Sequence, residues 1–367
     1  MINKKLRNNS DSHNSYLNDL AHPISEKVVR NVNLRDLTTM KIGGIANLLI
    51  EIENEEELFQ VYDYAKYHNL KLFPLGGGSN TIFSDKNHSL LIIKMKNKGI
   101  LKTYEGNEMV NIEVQAGEDW DELVDWTVQN DLSGLENLSL IPGTVGASPI
   151  QNIGAYGSEI KDTLIKVKIL DLKNGKVFEI LNQDCDFSYR NSIFKENLGQ
   201  FIIISVFFNL KKVTKPIKIP EYKDVQLYFL GTKKNTVSLK QIRKAIIEIR
   251  ESKIPDPEII PNSGSFFKNP IVTDDLASRI GFKYPEMPYY KLEENKTKLY
   301  AGWLIEKAGL KGQKFGNLTI NEKNALILTN PEQKSDFLEL TDVIEKINLK
   351  LKNKFGLELE VEPNLVF

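Results

Sequence analysis

The stretch from residue 140 to residue 157, LIPGTVGASPIQNIGAYG, constrains the fold of this chain more than any other. It has glycine at positions 143, 146, 154 and 157 and contains no charged residue. Exposed loops are normally polar, so an uncharged glycine-rich stretch is typical of backbone that lies close to something buried. Glycine also removes the side chains that would keep a diphosphate or a flat ring away from main-chain N–H groups. The stretch is therefore predicted either to cradle a ligand or to form a buried structural crossover.

A second glycine cluster, Gly76-Gly77-Gly78, lies far upstream, directly after an apolar run and before Ser79 and Asn80. It is not a G-x-G-x-x-G dinucleotide fingerprint, because no third glycine follows at the required offset. A nicotinamide-type Rossmann domain is therefore disfavoured. Two glycine-rich loops that converge on one site instead predict one large cofactor.

Length and charge narrow the class of protein. At 367 residues the chain is longer than one core usually supports, so two or three domains are expected. Its 48 basic and 49 acidic residues give a net charge of −1, so no global field draws it to nucleic acid or to an anionic membrane. The single cysteine, Cys185, excludes an internal disulfide and is predicted to be a buried, inert thiol. Four scattered histidines indicate no metal site.

The chain shows no feature of a membrane or secreted protein. Residues 1–24 read as a polar tail without the apolar region of a secretory signal, and no run of about 18 apolar residues occurs. We therefore expect a cytoplasmic protein with no membrane partner.

Hydrophobic periodicity and capping residues predict mixed strands and helices. Strands are predicted at 46–52, 70–75, 89–95, 110–116, 165–171, 176–181, 201–210 and 357–361. Helices are predicted after the caps Asn54, Asp119 and Ser238, at 301–308, and along the stripe Leu340, Val343, Ile344, Ile347 and Leu351.

Several motifs occur together in a fixed order. They are LGGGSN (75–80), IPGTVGASPIQNIGAYG (141–157), SYRNSIFK (188–195), IPDP (254–257), GSFFKNP (264–270), AGWLIEKAGLKG (301–312) and VEPNLVF (361–367). From about residue 30 to the last residue, this set resembles the UDP-N-acetylenolpyruvoylglucosamine reductase family.

The resemblance implies an α+β fold. A two-subdomain FAD-binding module of the PCMH/vanillyl-alcohol-oxidase type is expected, followed by a C-terminal α+β substrate-binding domain. The implied boundaries are a disordered polar tail at 1–24, FAD-binding subdomains at 25–95 and 96–252, and the substrate-binding domain at 253–367.

The resemblance also implies an activity. Family members are FAD-dependent reductases that use NADPH to reduce the enolpyruvyl ether of UDP-N-acetylglucosamine enolpyruvate to UDP-N-acetylmuramate in peptidoglycan precursor synthesis. NADPH and the UDP-sugar are expected to use the same pocket in turn. The Tyr222 segment implies the subclass whose mobile tyrosine loop closes over the substrate. We expect a monomer with no nucleic-acid partner.

Three residues match the family's catalytic groups. Reduction of an enolpyruvyl ether develops carbanion or enolate charge beside the substrate carboxylate, which the enzyme must stabilise. The resemblance assigns Arg190 to that carboxylate, because a guanidinium can bind it bidentately. It assigns Ser265 as the proton donor to the carbanion. It places Glu362 beside the carboxylate, with a raised pKa or with a share in polarising the enolate. Spacing alone gives no indication that the three residues meet.

The resemblance places FAD between the two glycine loops and the UDP-sugar beside it. The implied FAD-binding residues are Gly76, Gly78, Ser79, Asn80, Gly143, Thr144, Gly146, Ser148, Gln151 and Asn152. The implied substrate-binding residues are Tyr222, Lys253, Asn269, Tyr290, Lys311 and Asn324. Lysine and tyrosine suit this ligand, which needs charge at its diphosphate and an aromatic face at its base. Asn324 stands where the family usually has the longer Gln.

Two other functions remain as alternatives. One is an FAD-dependent oxidase of the wider flavin superfamily, although such oxidases often attach flavin through His or Cys and the glycine loops contain neither. The other is a nucleotide-sugar binding protein with a decayed active site, although Arg190, Ser265 and Glu362 are all present.

Overall fold

The computed structural model describes residues 23–231, 235–293 and 295–367. Positions 1–22 of the predicted tail lie outside these residues. The described chain begins with a 3₁₀ helix, Pro23–Lys27, in which Ile24 is only 2% exposed. Ile24 packs into the first hydrophobic core, so the last residue assigned to the tail is part of the folded protein.

The N-terminal part of the chain folds as a small α/β unit. Its elements are β1 (Val29–Asn33), β2 (Ile45–Ile52), α1 (Glu55–Tyr67), β3 (Lys71–Pro74), β4 (Thr81–Phe83) and β5 (Asn87–Met95). The sheet order is β1-β2-β5-β3, in which β2 and β3 run parallel to β5 and β1 runs antiparallel to β2. As predicted, α1 is capped by Asn54, whose side chain accepts from the Glu57 N–H. The first glycine loop follows β3, where parallel strands end.

The middle part is built on an antiparallel sheet. Its strands are β6 (Ile100–Glu105), β7 (Met109–Gln115), β8 (Leu132–Ser133), β9 (Gly154–Ala155), β10 (Ser158–Glu159), β11 (Leu164–Asp171), β12 (Lys176–Leu181), β13 (Phe201–Lys212), β14 (Ile217–Lys218) and β15 (Thr236–Val237). Its helices are α2 (Trp120–Gln129), α3 (Ile193–Glu196), α4 (Lys223–Tyr228) and α5 (Leu239–Lys253). The main sheet has the order β12-β11-β13-β7-β6, and β8 also pairs with β13. The predicted caps Asp119 and Ser238 both bind N–H groups of their helices. The second glycine loop connects β8 to β9.

The C-terminal part contains two small antiparallel sheets against helices. Its strands are β16 (Asn262–Ser265), β17 (Ile271–Thr273), β18 (Tyr289–Lys291), β19 (Lys296–Leu299), β20 (Lys314–Phe315), β21 (Leu318–Ile320), β22 (Ile327–Thr329) and β23 (Asn364–Val366). Its helices are α6 (Asp274–Lys283), α7 (Ala301–Lys307) and α8 (Phe337–Phe355). The predicted stripe of α8 is confirmed, because Leu340, Val343, Ile347 and Leu351 are all buried.

The predicted strand at 357–361 is wrong. Leu359 bonds instead to the side chain of Asn348 in α8, with its N–H donating to Oδ1 at 2.8 Å and its carbonyl accepting from Nδ2 at 3.1 Å. The last strand is β23, and it pairs in parallel with β4 of the N-terminal unit. The end of the chain therefore returns to the first glycine loop and carries Glu362 with it.

Separate apolar cores lie under the three parts. Cys185 is fully buried in the core of the middle part, and burial raises the pKa of its thiol to about 12, which confirms the prediction of an inert thiol. Within the described ranges, no helix has the length and apolar character needed to cross a membrane.

Candidate active site

The two glycine loops touch each other. A Cβ added to Gly77 would lie 2.9 Å from the Cα of Gly143, so the two backbones approach more closely than side chains allow. Gly78 has a φ of +70°, and a Cβ there would lie 1.9 Å from the carbonyl oxygen of Leu37. Glycine is required at both positions because of these contacts, and the prediction that the loops converge is confirmed.

Polar side chains join the loops at their outer ends. The Oγ of Ser79 donates to the carbonyl oxygen of Pro142 at 3.2 Å, and the Nδ2 of Asn80 donates to the Oε1 of Gln151. The N terminus of α2 holds the second loop from below, because the Trp120 N–H donates to the carbonyl of Gly143 at 3.0 Å. The loops thus form one continuous floor.

A cavity of about 760 Å³ lies over this floor. Its wall includes the three residues matched to catalytic groups, Arg190, Ser265 and Glu362. It also includes these residues assigned to FAD: Gly76, Gly78, Ser79, Asn80, Gly143, Thr144, Gly146, Ser148 and Gln151. Asn152 is outside the wall and fully buried, where its side chain donates to Glu159 and to the Ser188 carbonyl. The structure places Asn152 as a support of the loop.

Arg190 and Glu362 form an ion pair on the wall of the cavity. The Nε of Arg190 donates to the Oε1 of Glu362 at 2.9 Å, and its Nη2 donates to the carbonyl of Gly154 at 2.8 Å. Arg190 lies in a tight turn between Ser188 and Asn191 with a φ of +56°. A left-handed arginine is costly, and such strain is typical of side chains that must point in one direction.

Burial sets the electrostatics of Glu362. Its side chain is 10% exposed, and burial raises the pKa of the carboxyl above its usual range. The charge of Arg190 opposes this shift most strongly, followed by those of Lys195 and Lys268. The sequence allowed two roles for Glu362, either a carboxyl with a raised pKa or a carboxylate that polarises the enolate jointly with Arg190. The structure agrees with both, because burial raises the pKa of the carboxyl and Arg190 binds it.

Ser265 ends β16 and faces the same cavity. Its strand pairs with β22 opposite Ile327, which fixes its position at the cavity wall. Asn262 shapes the turn before it by accepting the Gly264 N–H at 2.9 Å. The structure therefore brings the half-buried Ser265 to the wall that also carries the ion pair.

The sequence did not single out Arg250 and Ser263, two of the donors on this wall, which also carries the buried Oγ1 of Thr39 without a hydrogen-bond partner among the described residues. Among the described residues, the Nε of Arg250 and the Oγ of Ser263 are buried without a hydrogen-bond partner. Burial lowers the pKa of Arg250, while Tyr156 and Asp121 act in the opposite direction. Buried polar groups are normally satisfied, so both donors are suited to a ligand. In the sequence, Arg250 is only a basic residue in the last turn of a helix.

Three residues assigned to the UDP-sugar surround the approach to Arg190. The ring of Tyr222 packs edge-on against Tyr156 at 5.2 Å, and the Nζ of Lys253 binds Asp224 at 2.6 Å. The N–H of Asn269 donates to the hydroxyl of Tyr189, the neighbour of Arg190, at 3.3 Å. None of the three assigned residues is part of the cavity wall in the described chain.

The other three assigned residues lie farther out. Tyr290 is 59% exposed, and the Nζ of Lys298 lies 5.8 Å from its ring centroid. The same ammonium lies 4.5 Å from the ring centroid of Tyr189, so Lys298 connects Tyr290 to the Arg190 turn. Lys311 binds Glu306 at 3.0 Å, and Asn324 uses its Oδ1 to accept the N–H of Leu326. Of these contacts, only those of Tyr290 lead toward the ion pair.

The cavity fits a dinucleotide such as FAD. Its floor is backbone that a single Cβ would fill, which lets N–H groups and a flat ring approach closely. Its wall provides the unpartnered Nε of Arg250 for a diphosphate or a ring substituent. Its volume of about 760 Å³ accommodates a ligand of this size.

Comparison with known proteins agrees with this site. Residues 46–181 match the family described as FAD binding domain, and residues 256–366 match the family described as UDP-N-acetylenolpyruvoylglucosamine reductase, C-terminal domain. The fold and the site thus define an FAD-dependent oxidoreductase. The predicted fold class and the predicted FAD cofactor are confirmed.

Whole-chain relatives define the family more closely. UDP-N-acetylenolpyruvoylglucosamine reductase of Flavobacterium johnsoniae is 39% identical over 342 residues, covering 93% of this chain and 100% of the relative. The Photobacterium profundum enzyme of that name is 38% identical, covering 92% of this chain and 95% of the relative. The chain belongs to the UDP-N-acetylenolpyruvoylglucosamine reductase family.

A solved structure has the same fold. The UDP-N-acetylenolpyruvylglucosamine reductase of Thermus caldophilus superposes with a TM-score of 0.63 at 22% identity, covering 92% of this chain and 99% of that chain.

Proposed function

We propose that this protein uses NADPH, through FAD, to reduce the enolpyruvyl ether of UDP-N-acetylglucosamine enolpyruvate to UDP-N-acetylmuramate, a cytoplasmic step of peptidoglycan precursor synthesis. The observation that carries the proposal is the Arg190–Glu362 ion pair, which shares a cavity wall with Ser265 above two converging glycine loops. The proposal retains the domain boundaries at 95 and 252 and a monomeric protein, and it moves the boundary at 24 to before Pro23 because Pro23–Lys27 is helical and Ile24 is buried.

The glycine loops hold the cofactor. Main-chain N–H groups of the first loop and the guanidinium of Arg250 bind its diphosphate and ring edges, because both line the cavity and the Nε of Arg250 has no hydrogen-bond partner in the described chain. Bound FAD would supply the hydride chemistry, taking a hydride from NADPH and giving it to the substrate alkene.

Arg190 binds the substrate carboxylate. In the described chain its Nε and Nη2 already have partners, which leaves Nη1 for a single contact with the substrate carboxylate, in place of the expected bidentate one, while Glu362 and Gly154 hold the guanidinium still. A fixed cation stabilises the negative charge that develops next to the carboxylate during reduction, with no reorganisation at that moment. Glu362 orients the guanidinium and shares the polarisation of the enolate.

Ser265 delivers the proton. Its hydroxyl lies on the same wall as Arg190, and its Oγ–H transfers a proton to the carbon next to the substrate carboxylate after hydride has reached the other alkene carbon. The reaction thereby adds one hydride and one proton across the double bond.

The nucleotide of the UDP-sugar is bound beside the Arg190–Glu362 ion pair, on its outer side. Tyr290, Lys298 and Tyr189 form an alternating aromatic and cationic path that ends at Arg190, which suits a uracil ring and a diphosphate. Tyr222 lies at the start of α4 and contacts Tyr156 beside the second glycine loop, which supports the subclass with a closing tyrosine loop. Lys253, Asn269, Lys311 and Asn324, which lie outside the cavity wall of the described chain, complete the proposed set on the strength of the family motifs alone. NADPH, which also carries a diphosphate, occupies the same region before the substrate does.

A direct assay tests this function. Purified protein supplied with FAD, NADPH and the enolpyruvyl substrate should form UDP-N-acetylmuramate, identified by mass, with one NADPH consumed per product. NADH in place of NADPH tests the nucleotide preference. Consumption of NADPH that depends on oxygen and not on the enolpyruvyl substrate would identify an oxidase instead.

A further inference from the structure

Glu362 is held at its backbone as well as at its side chain. Its N–H donates to the carbonyl of Phe266 at 2.9 Å, and its own carbonyl accepts from the Nζ of Lys195 at 3.0 Å. Arg190 binds the carboxylate of the same residue at 2.9 Å. Arg190 and Lys195, two cations of one short segment, therefore both bind Glu362, which lies 172 positions from Arg190 in the sequence.

Lys195 is itself tied to the cofactor floor. It lies in α3, whose cap Ser192 accepts the N–H groups of Phe194 and Lys195 at 3.2 and 3.3 Å. The same Ser192 hydroxyl donates to the carbonyl of Ile150 in the second glycine loop at 2.6 Å. A continuous hydrogen-bonded path thus runs from the loop through Ser192 and Lys195 to Glu362.

The surroundings of Lys195 make its charged form less favourable than that of a lysine in water. Lys268 and Arg190 repel it, while Glu362 and Glu360 attract it, and Glu360 is already bound to Lys268 at 2.5 Å. Burial, followed by the repulsion from Lys268, lowers the pKa of Lys195 to about 8. A backbone carbonyl could be satisfied by a neutral donor. The charge of Lys195 has a further effect, because it favours the ionised form of the buried Glu362 carboxyl.

We propose that Lys195 is a positioning residue of the active site, which fixes the backbone of Glu362 and keeps its carboxyl ionised for the contact with Arg190. This inference rests on the proposed function for its effect on the rate, but its electrostatic part concerns the protein alone. Replacing Lys195 with a neutral residue removes one of the charges that favour the ionised carboxyl, so Glu362 should ionise at higher pH.

The test follows the ionisation of Glu362 by NMR. Protein labelled with ¹³C at the glutamate carboxyl is titrated, and the Glu362 signal is assigned by its absence in Glu362→Gln. In Lys195→Met and Lys195→Gln the half-ionisation pH of Glu362 should rise by about one unit. In Lys195→Arg, which keeps the charge, it should stay near the wild-type value. An unchanged titration of Glu362 in a folded neutral variant would overturn the proposal.

The wild-type protein gives a second measurement that does not need a neutral variant to fold. The Glu362 signal should respond again near pH 8, where Lys195 loses its proton, and a signal without that response would overturn the proposal. A rate measurement then separates positioning from general damage. Neutral variants should slow the transfer from reduced protein to the enolpyruvyl substrate about tenfold or more. Reduction by NADPH should remain at the wild-type rate.

A matched control is available on β11. The Nζ of Lys168 binds the Oε2 of Glu55 at 2.6 Å with a side-chain exposure of 29%, and it lies outside the cavity wall. Lys168→Met likewise removes a half-buried lysine ammonium, here one paired with a carboxylate, and should leave both rates and the Glu362 titration unchanged. If the wild-type protein proves inactive toward the enolpyruvyl substrate, the proposed function fails, while the NMR titration still decides the role of Lys195.

Discussion

The Nε of Arg190 lies 2.9 Å from the Oε1 of Glu362, although the two residues are 172 positions apart and come from different parts of the fold. The contact forms because β23 pairs with β4 beside the first glycine loop and draws the end of the chain across the cavity. The ion pair consequently depends on the assembly of all three parts of the chain. Its loss should lower the rate of the reaction more than it lowers the free energy of unfolding.

Replacing Arg190 with Lys should separate charge from geometry. A lysine keeps the cation but cannot bind Glu362, the Gly154 carbonyl and a carboxylate at fixed angles. Transfer to the enolpyruvyl substrate should slow by about 10²–10³, the usual cost of removing one preorganised donor. Stopped-flow absorbance of each half-reaction measures this. Arg279→Lys, on the exposed face of α6, is the matched control, and an Arg190→Lys protein as fast as this control would contradict the assignment.

Ser265→Ala should affect one half-reaction only. The methyl group cannot donate a proton, so reduction of the substrate should slow by about 10²–10⁴, whereas reduction of the flavin by NADPH should be spared. Ser205→Ala serves as control, because its hydroxyl binds Glu113 in the middle sheet, away from the cavity wall. Equal losses in both half-reactions would exclude Ser265 as the proton donor.

Asp121 should control the affinity for FAD through the backbone of Leu140. Leu140 begins the second glycine loop with a φ of +60°, and its N–H donates to the Oδ1 of Asp121 at 2.5 Å. Arg243 holds that carboxylate with both Nη atoms, at 2.6 and 2.9 Å. Asp121→Asn should therefore release the strained loop and weaken FAD binding about tenfold, measured by flavin fluorescence.

A second substitution tests whether strain is the cause. Leu140→Gly accepts the left-handed backbone without the help of Asp121. In the Asp121→Asn background it should recover part of the lost FAD affinity. Failure to recover any of it would mean that Asp121 acts on FAD by another route.

Gly78→Ala should lower the free energy of unfolding far more than Gly309→Ala does, although the two glycines have a similar φ. Gly309, after α7, has a φ of +73° with nothing within 4 Å of an added Cβ, so its replacement by Ala should cost about 1–2 kcal/mol of unfolding free energy. Gly78 has a φ of +70°, but its Cβ would lie 1.9 Å from the Leu37 carbonyl, so at least about 3 kcal/mol is expected. Urea denaturation of both variants provides the comparison, and equal costs would contradict the packed loop.

Local sequence patterns predicted many of the longer elements because their causes are local. The helix after Asn54 and the stripe of α8 follow from caps and from a period of 3.6 residues, and both are confirmed. The strand predicted at 357–361 is wrong because Asn348, a residue of another element, takes both backbone hydrogen bonds of Leu359, and the pairing of this segment is limited to an isolated bridge between Val361 and Phe267. Alternating apolar residues cannot reveal such a competitor.

Some features of the site could be predicted from the residues themselves, and others could not. The two glycine loops have a composition that indicates a cradle, and the structure brings them into contact as expected. Arg190, Ser265 and Glu362 could be assigned only by family motif, since their meeting depends on pairing between the two ends of the chain. Arg250 gave no signal, and Lys195 was only the last residue of the motif SYRNSIFK with no role assigned to it, because a basic residue in a helix is normally solvated and only burial shows otherwise.

The most direct test of the account is the anaerobic oxidation of the reduced protein by its proposed substrate. The FAD-loaded protein is bleached with one equivalent of NADPH, and the enolpyruvyl UDP-sugar is then added without oxygen. The account predicts that one equivalent of this substrate restores the oxidised flavin spectrum in full and yields UDP-N-acetylmuramate. A spectrum that stays bleached until oxygen is admitted would contradict it.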